Sequence, residues 1–284
     1  MNIIKRMATN FKYYGVPRSS KLDSIEIHSI GTAQDEAEVI AAYMNQYTPG
    51  GIVHAICDAK VSGKVVELLP DNNLAWADAG YGNQHSFAIE IAESDQIVYT
   101  GGASYRIKNM DIFKADVMRG YDTAVEYTAK KCSEFGLNPL EKLPNGLYRV
   151  YSHREGHSAG VSSNHGDPDH VWSRFGLTMD EFRADVAAAM SPPEFTKGAK
   201  YKMSIGLALR KSPSGSAPFV MYSEIPLTKR YLFRKGAKGQ AIIKKGVKAK
   251  CLGEKKVGKR GAYMQIARGW VLAKYRGKGR VSKV

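Results

Sequence analysis

Hydrophobic and polar positions along the first two thirds of the chain follow two alternating patterns. Short runs of alternating or continuous apolar residues predict strands, whereas longer runs with apolar positions three and four apart predict helices. Thr178, in a Thr-x-x-Glu capping box, and Gly136 mark a helix start and a helix end. The patterns predict strands over 24–28, 51–57, 64–69, 86–91 and 146–152, and helices over 35–47, 112–135 and 178–190. This alternation favours an α/β domain with a mixed central sheet flanked by helices.

The pattern changes near residue 190. Pro192 and Pro193 end the last helical run, and no long helical periodicity follows them. Short β-type runs separated by glycine and proline instead cover 204–210, 240–243, 262–266 and 269–273. We therefore predict a first domain over 1–190, a linker over 191–200 and a small all-β barrel over 201–284.

The net charge of +15 is divided very unevenly between these parts. Residues 1–194 hold 18 Lys and Arg against 25 Asp and Glu, whereas residues 195–284 hold 24 against two, a net charge of +22. Such asymmetry predicts that the second domain meets a polyanion. A nucleic acid is one alternative, since Tyr231, Phe233 and Tyr263 are interleaved with the basic residues.

Several classes of protein are disfavoured by the composition. No apolar run approaches the roughly 18–20 residues of a membrane span, so we expect no membrane insertion. The N-terminus lacks the apolar core and cleavage site of a signal peptide, and none is predicted. The cysteines Cys57, Cys132 and Cys251 lie far apart, which indicates reduced packing residues rather than a disulfide framework.

Candidate metal-binding histidines lie at the ends of two predicted strands. His28 and His153 each end such a strand, where side chains of α/β proteins reach a crevice. Catalytic zinc often takes two histidines and a carboxylate, which His28, His153 and Asp167 would supply. A lone histidine at a strand end is more often structural, but four of the seven histidines lie within 153–170. No helical HExxH pattern is present.

Glu90 is the candidate general base. It lies in the predicted strand 86–91 among apolar neighbours. Strand alternation allows two interpretations, an outward-facing surface residue or a buried base beside a metal-bound water. The sequence pattern alone leaves both open.

A series of motifs resembles one known family. The motifs are Ile25-Glu-Ile-His-Ser29, Val53-His-Ala-Ile56, Leu74-Ala-Trp-Ala-Asp-Ala-Gly80, Ile89-Glu-Ile91, Ser152-His153 and Asp167-Pro168, in that order. Over roughly residues 15–190 they resemble the type-2 N-acetylmuramoyl-L-alanine amidases, the superfamily of phage lysins and peptidoglycan recognition proteins. The resemblance implies a zinc amidase fold and cleavage of peptidoglycan between N-acetylmuramic acid and L-alanine.

The resemblance also implies roles for individual residues. His28, His153 and Asp167 match the zinc ligands, and Glu90 matches the catalytic glutamate. His165 takes the place of a lysine that steadies the tetrahedral intermediate, although His165 could instead replace Asp167 as ligand. The spacing of 14 positions from His153 to Asp167 exceeds the usual family spacing, so an inserted loop is expected.

Two further positions of the family's cleft have counterparts in this chain. His54 matches a histidine that lines the cleft, with a structural histidine as the alternative, and Trp76 is a predicted substrate contact. The family's Trp-His-Ala reads Trp76-Ala77 here, and Val53 stands where several members have tyrosine. We expect His157 and His170 on the surface or behind the ligands.

The segments 206–215 and 263–271 resemble strands of bacterial SH3-like wall-binding modules, with Trp270 as the best-matching residue. This resemblance implies that 201–284 bind an anionic wall polymer such as teichoic acid and not nucleic acid. The leading hypothesis is a phage endolysin, kept in the host cytoplasm until a holin releases it to a Gram-positive wall; an extracellular enzyme is the alternative. A non-catalytic peptidoglycan-binding protein and a zinc peptidase that cuts the stem peptide are the competing hypotheses.

Overall fold

The computed structural model describes residues 1–46, 51–191, 194–215, 217–257, 261–275 and 278–284. The chain forms two compact units, Met1–Ala187 and Ala188–Val284. Tyr47, the predicted end of the first helix, and the linker prolines Pro192 and Pro193 lie outside the described residues.

The first unit is built on a mixed six-stranded sheet. In chain order the strands of this sheet are β1 Asn2–Lys5, β2 Ser24–Ser29, β3 Ala55–Cys57, β4 Lys64–Glu67, β5 Ser86–Ile91 and β8 Val150–Ser152. Two further strands, β6 Ile97–Gly101 and β7 Ser104–Ile107, form a separate hairpin. The order across the sheet is β1-β4-β3-β5-β2-β8. Only β3 and β4 pair antiparallel, and the other neighbours are parallel. The predicted mixed sheet is confirmed.

Helices cover both faces of this sheet. They are α1 Ala37–Gln46, α2 Gly82–His85, α3 Met110–Phe135, α4 His153–Ser158, α5 Asp169–Trp172 and α6 Met179–Met190, with a 3-10 turn at Ser173–Phe175. Ala88 of β5 belongs to the apolar cluster that contains α1. Its neighbour Phe87 faces the other way, toward Tyr127 of α3. Alternating residues of β5 therefore face opposite helical layers, which is why the whole strand is buried.

Capping explains the ends of α3. The Asn109 side chain accepts hydrogen bonds from the backbone N–H groups of Asp111 and Ile112, so the helix begins two residues before the predicted start at 112. At the other end Gly136 adopts a left-handed conformation with φ 67°, which ends the helix at Phe135 as predicted.

Several strands of the first unit differ from the sequence prediction. β1 and the β6–β7 hairpin were not predicted, because their short runs become strands only through pairing with a partner. The predicted strand over 146–152 shrinks to β8. Gly146, with φ 87°, turns the chain so that Tyr148 pairs back with Lys142 instead of continuing the strand.

The second unit is a small all-β structure, as predicted. Its strands are β9 Lys200–Met203, β10 Leu207–Ala208, β11 Phe233–Lys235, β12 Ala241–Ile243, β13 Lys248–Lys250, β14 Gly253–Val257, β15 Gly261–Ile266, β16 Gly269–Tyr275, β17 Lys278–Gly279 and β18 Val281–Lys283. They form three antiparallel sheets around one apolar core, with 3-10 turns at Tyr222–Glu224 and Leu227–Leu232. Phe195, which the sequence pattern placed in the linker, packs into this core.

The cysteines and the helices of the described residues bear on the expectations drawn from the composition. Cys57, Cys132 and Cys251 are free and buried, which confirms that they are packing residues. Among the residues that the structure describes, no helix combines the length and apolar character needed to cross a bilayer.

Candidate metal centre and active site

Parallel pairing of β2 and β5 brings His28 beside Glu90. The two residues are register partners, so their side chains leave the same face of the sheet. Both are buried, His28 at 3% and Glu90 at 7% exposure. The outward-facing surface interpretation of Glu90 is therefore wrong.

His153 lies next to His28 across the following strand pair. It begins α4 rather than ending β8, because Ser152 caps the helix in a capping box with Glu155. Arg183 of α6 holds the Glu155 carboxylate at 2.8 Å. The position of His153 is thus fixed through backbone hydrogen bonds and a largely buried ion pair.

Asp167 completes a compact group of three donors. His28 Nδ1 lies 3.0 Å from His153 Nδ1. Asp167 Oδ2 lies 3.5 Å from His28 Nδ1, and Asp167 Oδ1 lies 3.5 Å from His153 Nδ1. The backbone N–H of Ser29 donates to Asp167 Oδ2 at 3.0 Å and orients the carboxylate.

These separations suit one small metal ion. Zinc bonds of about 2.0–2.2 Å at tetrahedral angles place neighbouring donors roughly 3.3–3.5 Å apart. The two nitrogens are 3.0 Å apart, and each has its own Asp167 oxygen at 3.5 Å, values close to that range. Two imidazoles and a carboxylate are also the donor set of many catalytic zinc sites, so the residues present fit zinc.

The charges of the three donors are coupled. Burial lowers the pKa of His153 to about 4, so this ring is neutral at pH 7 and has a free lone pair for a cation. Burial alone would lower the pKa of His28, but Glu26 and Asp167 together raise it well above the usual value. Burial opposes ionisation of Asp167, yet its hydrogen bond and charge interaction with His28 lower its pKa to about 2.

Glu90 has the opposite electrostatic character. Burial, together with the Asp167 carboxylate and against the charge of His28, raises the pKa of Glu90 to about 8. A carboxyl group with a pKa near neutrality can both accept and release a proton at physiological pH.

His165 lies beside the three donors without joining them. Its ring centroid is 4.5 Å from that of His153. Its Nδ1 is 3.1 Å from the hydroxyl of Ser163, and that hydroxyl is 3.0 Å from His153 Nε2. Asp167 rather than His165 therefore lies with His28 and His153, which supports Asp167 as the third ligand.

Comparison with known proteins places the chain in a family. A family model described as N-acetylmuramoyl-L-alanine amidase matches residues 18–170, just over half of the 284-residue chain. The chain belongs to this amidase family. Family membership indicates N-acetylmuramoyl-L-alanine amidase activity. No curated protein matches the chain significantly.

Solved structures similar to the amidase unit share little sequence with it. The Staphylococcus aureus hydrolase AmiA in complex with its ligand is 19% identical, with a TM-score of 0.51, and the match covers 67% of this chain and 83% of that one. The PlyG catalytic domain is 19% identical, with a TM-score of 0.47 and coverage of 69% and 100%. A mutant endolysin from Bacillus subtilis is 18% identical, with a TM-score of 0.43 and coverage of 66% and 99%. Of these three, AmiA alone supports the fold.

The two predicted substrate contacts of the amidase differ in environment. His54 is fully buried; its Nδ1 accepts from the Ala88 N–H and its Nε2 lies 3.0 Å from the carbonyl of Asn73. Burial lowers the pKa of His54 to about 3, so it stays neutral. These contacts favour the structural alternative for His54. Trp76, in contrast, is 43% exposed and packs its ring near Tyr13.

Glu26 is a residue of the amidase site that the sequence analysis missed. It is fully buried two residues before His28 on the same face of β2, and its carboxylate lies 3.3 Å from His28 Nε2. Among the described residues neither Glu26 oxygen has a hydrogen bond, and His28 Nε2 has none. A Cβ at position 82 would lie 2.1 Å from the carboxylate, so Gly82 provides its space. Alternation within 24–29 was the signal that could have located Glu26.

A second polar network adjoins the site. Glu93 accepts hydrogen bonds from Ser29 at 2.6 Å and from Tyr99 at 2.5 Å. The Tyr99 hydroxyl also lies 2.7 Å from His170 Nε2. The β6–β7 hairpin, absent from the sequence prediction, supplies Tyr99. His170 thus lies behind the site, as expected, whereas His157 is exposed on α4.

Trp270, the residue predicted to bind the wall, lies in β16 of the second unit. It is half-buried, its backbone pairs with Gln265 of β15, and it forms a bridge with Arg210. Its ring reaches to within 3.9 Å of the place where a Cβ of Gly253 would lie.

Replacement of Glu26 should weaken zinc binding. Metal-bound histidines depend on a partner for their outer nitrogen, and loss of such a partner costs roughly 10–100-fold in affinity. We expect Glu26→Leu to raise the zinc dissociation constant by about this factor and Glu26→Gln, which keeps an acceptor oxygen, by less. Competition with a chromophoric chelator measures the constant. Glu67→Gln is the control, since Glu67 bonds Tyr127 of α3. Unchanged affinity in folded Glu26→Leu protein would show that His28 needs no carboxylate.

Glu90 should make the metal-free protein less stable as pH rises. Its pKa is about 8 in the folded state against 4.5 as the ordinary value, so the folded state holds this proton more tightly. Stability from this proton is complete below about pH 4.5 and is lost up to about pH 8, by roughly 1.4 kcal/mol per pKa unit at most. Urea unfolding with chelator from pH 5 to 8 should show wild type losing stability relative to Glu90→Gln. Parallel curves would contradict the raised pKa.

Proposed function

We propose that the first unit hydrolyses the amide bond between N-acetylmuramic acid and L-alanine of peptidoglycan, with zinc held by His28, His153 and Asp167. The observation that carries the proposal is the convergence of three buried donor residues, whose nearest donor atoms are separated by 3.0–3.5 Å, close to the edges of a tetrahedral zinc complex. Three protein ligands leave a fourth position for water or substrate, as in catalytic rather than structural zinc sites.

Roles for the neighbouring residues follow from their positions. When bound, a zinc ion polarises the amide carbonyl and lowers the pKa of water. Glu90, register partner of His28, accepts a proton from the attacking water and delivers it to the leaving nitrogen of L-alanine. His165, beside His153, donates a hydrogen bond to the carbonyl oxygen as that oxygen gains negative charge. Trp76 offers an exposed aromatic surface to the substrate.

Glu90→Gln should abolish wall hydrolysis without releasing zinc. The amide keeps the shape of the side chain but cannot take the proton, so we expect a loss of at least about 100-fold. Glu67→Gln, a strand glutamate that bonds Tyr127, should keep wild-type activity. Mass spectrometry of digested cell walls and metal analysis of the proteins measure both effects.

The products distinguish the competing functions. Free lactyl ends with intact stem peptides support the amidase. Cut stem peptides would indicate a zinc peptidase, and zinc-loaded wild type that binds walls without cutting them would indicate a recognition protein. Zinc-loaded Glu90→Gln protein that remains active would refute the role of Glu90.

We further propose that 201–284, behind a catalytic domain of 1–190 and a linker of 191–200, are an SH3-like module that binds an anionic wall polymer. One face of the β13-β9-β18 sheet supports the choice of partner. Lys202 pairs directly with Lys248, and Lys200 with Lys250. All four lysines are exposed, while Tyr201, between Lys200 and Lys202, and Met203, after Lys202, are buried in the core.

This four-lysine face is costly for the fold itself. Like charges directly opposite on antiparallel strands destabilise a sheet. The register places Cα atoms about 4.5–5.5 Å apart across the pair and about 7 Å apart along each strand, so four ammonium groups share a small area. No ion pair of these lysines occurs within the described ranges. A polymer with repeated phosphates would offset this repulsion.

The same face argues for a wall polymer over single-stranded nucleic acid. Proteins that bind single strands stack bases on exposed aromatic rings. The exposed residues of β9 and β13 are lysines, and the one aromatic side chain, Tyr201, is buried. Trp270 is proposed as a second wall contact, on another sheet of the unit.

Neutralising two of these lysines should weaken wall binding selectively. Lys202→Gln with Lys248→Gln should lower the full chain's affinity for sacculi that carry teichoic acid and reduce the salt dependence by about one phosphate contact per lysine. Lys211→Gln with Lys274→Gln is matched in charge, but these lysines are already paired with Glu224 and Glu194. Cosedimentation measures binding to intact sacculi, stripped sacculi and DNA at equal salt. Equal losses for both variants, or a preference for DNA, would contradict the proposal.

The narrower proposal is a phage endolysin that acts on a Gram-positive wall from within the host after holin release. The basic second unit supports a teichoic acid-bearing wall as the target. Lysis of such cells only when the chain and a holin are expressed together is the expected result. Lysis by expression of the chain alone would argue against it.

A further inference from the structure

We infer that Ser163 is a positioning residue. Its hydroxyl accepts a hydrogen bond from His153 and donates one to His165 Nδ1, so that the ring N–H of His165 is at Nε2. The inference rests on the proposed roles of His153 as ligand and His165 as oxyanion donor. It concerns a hydroxyl that lies between the two rings, 3.0 Å from His153 Nε2 and 3.1 Å from His165 Nδ1.

The direction of the first hydrogen bond follows from the site. His153 Nδ1 faces His28 and Asp167, so it is the nitrogen that offers a lone pair to a cation. A neutral imidazole has one proton, and with Nδ1 unprotonated that proton is on Nε2. His153 Nε2 therefore donates and the Ser163 oxygen accepts.

The direction of the second hydrogen bond follows from the first. A serine hydroxyl has one hydrogen, and the Ser163 oxygen already accepts from His153. Its hydrogen is then available to donate, and among the contacts of the described residues His165 Nδ1, 3.1 Å away, is the acceptor beside it. In its neutral form His165 then has a single ring donor, the N–H at Nε2, and a developing oxyanion requires such a donor.

Ser163 is held in place by an independent set of contacts. Its backbone N–H donates to the carbonyl of Asp78 at 2.9 Å, and the N–H of Tyr81 donates to the carbonyl of Val161 at 2.9 Å. A Cβ at Gly80 would lie 2.0 Å from that same carbonyl, so only glycine permits the approach. The loop between His153 and Asp167 thus folds back onto 78–81 and places Ser163 between the two histidines. This is the loop that exceeds the usual family spacing.

Spectroscopy of the wild-type protein tests the inference directly. In the zinc-loaded full chain with 15N-labelled histidine, we expect His165 to be protonated at Nε2 and His153 to carry its proton at Nε2, with Nδ1 of both unprotonated. Long-range 1H–15N correlation spectra separate the two nitrogens of each ring. A His165 proton on Nδ1 would overturn the inference whatever the variants do.

Variants then test whether Ser163 acts through His165. We expect Ser163→Ala to lower kcat by about tenfold with KM and zinc content little changed, since it disorders rather than removes a donor. Ser163→Thr keeps the hydroxyl and should restore activity. Ser158→Ala is the control, because its hydroxyl donates to the Arg154 carbonyl on the exposed side of α4.

A double-mutant cycle separates the possible failures. In a His165→Ala background, Ser163→Ala should cause no further loss. The same tenfold loss in both backgrounds, or no loss in either, would overturn the relay. If His165→Ala itself leaves kcat unchanged, the relay and the oxyanion role of His165 both fail. In that case, loss of activity in Glu90→Gln would still support the amidase proposal, because that result does not depend on His165.

Discussion

The structure of the first unit depends on the electrostatics of a buried group of charged and polar side chains. The group consists of five buried side chains near one edge of the sheet: His28, His153, Asp167, Glu90 and Glu26. Burial of an unpaired charge is costly, so each group must be neutral or compensated. His153 is neutral because burial lowers its pKa to about 4, while His28 gains a proton that compensates Asp167 and Glu26. A bound dication would replace that compensation, so metal binding and the stability of this region are coupled.

The sheet order explains why these residues meet. β5, β2 and β8 are consecutive in space and parallel, so their carboxyl ends lie at one edge. His28 and Glu90 come from this edge directly, and His153 follows β8 as the first residue of α4. Asp167 then reaches the same place from a loop, held by the backbone of Ser29. Three neighbouring strand ends therefore determine the site, in agreement with the rule that α/β folds bind ligands at such edges.

The sequence predicted what depends on local pattern and chain order. Alternation and strand ends located His28 and Glu90, and motif order located His153 and Asp167. Glu26 was missed although it shares the strand and face of His28, because a buried carboxylate contradicts the general tendency of glutamate to be exposed. Ser163 could not be predicted, since its role depends on two partners brought together only by the folded loop. β1 and the β6–β7 hairpin likewise exist through pairing that no local pattern specifies.

The uneven charge of the chain gives its two parts opposite responses to an anionic polymer such as the proposed wall ligand. Residues 1–194, at a net charge of −7, are repelled by a polyphosphate, whereas residues 195–284, at +22, are attracted. Covalent linkage resolves this opposition, because binding of one part raises the effective concentration of the other at the same surface. The attraction is non-specific and screened by salt, whereas the proposed chemistry at the buried His28 and Glu90 would be screened much less. Ionic strength should therefore control where the enzyme acts more strongly than how it cuts.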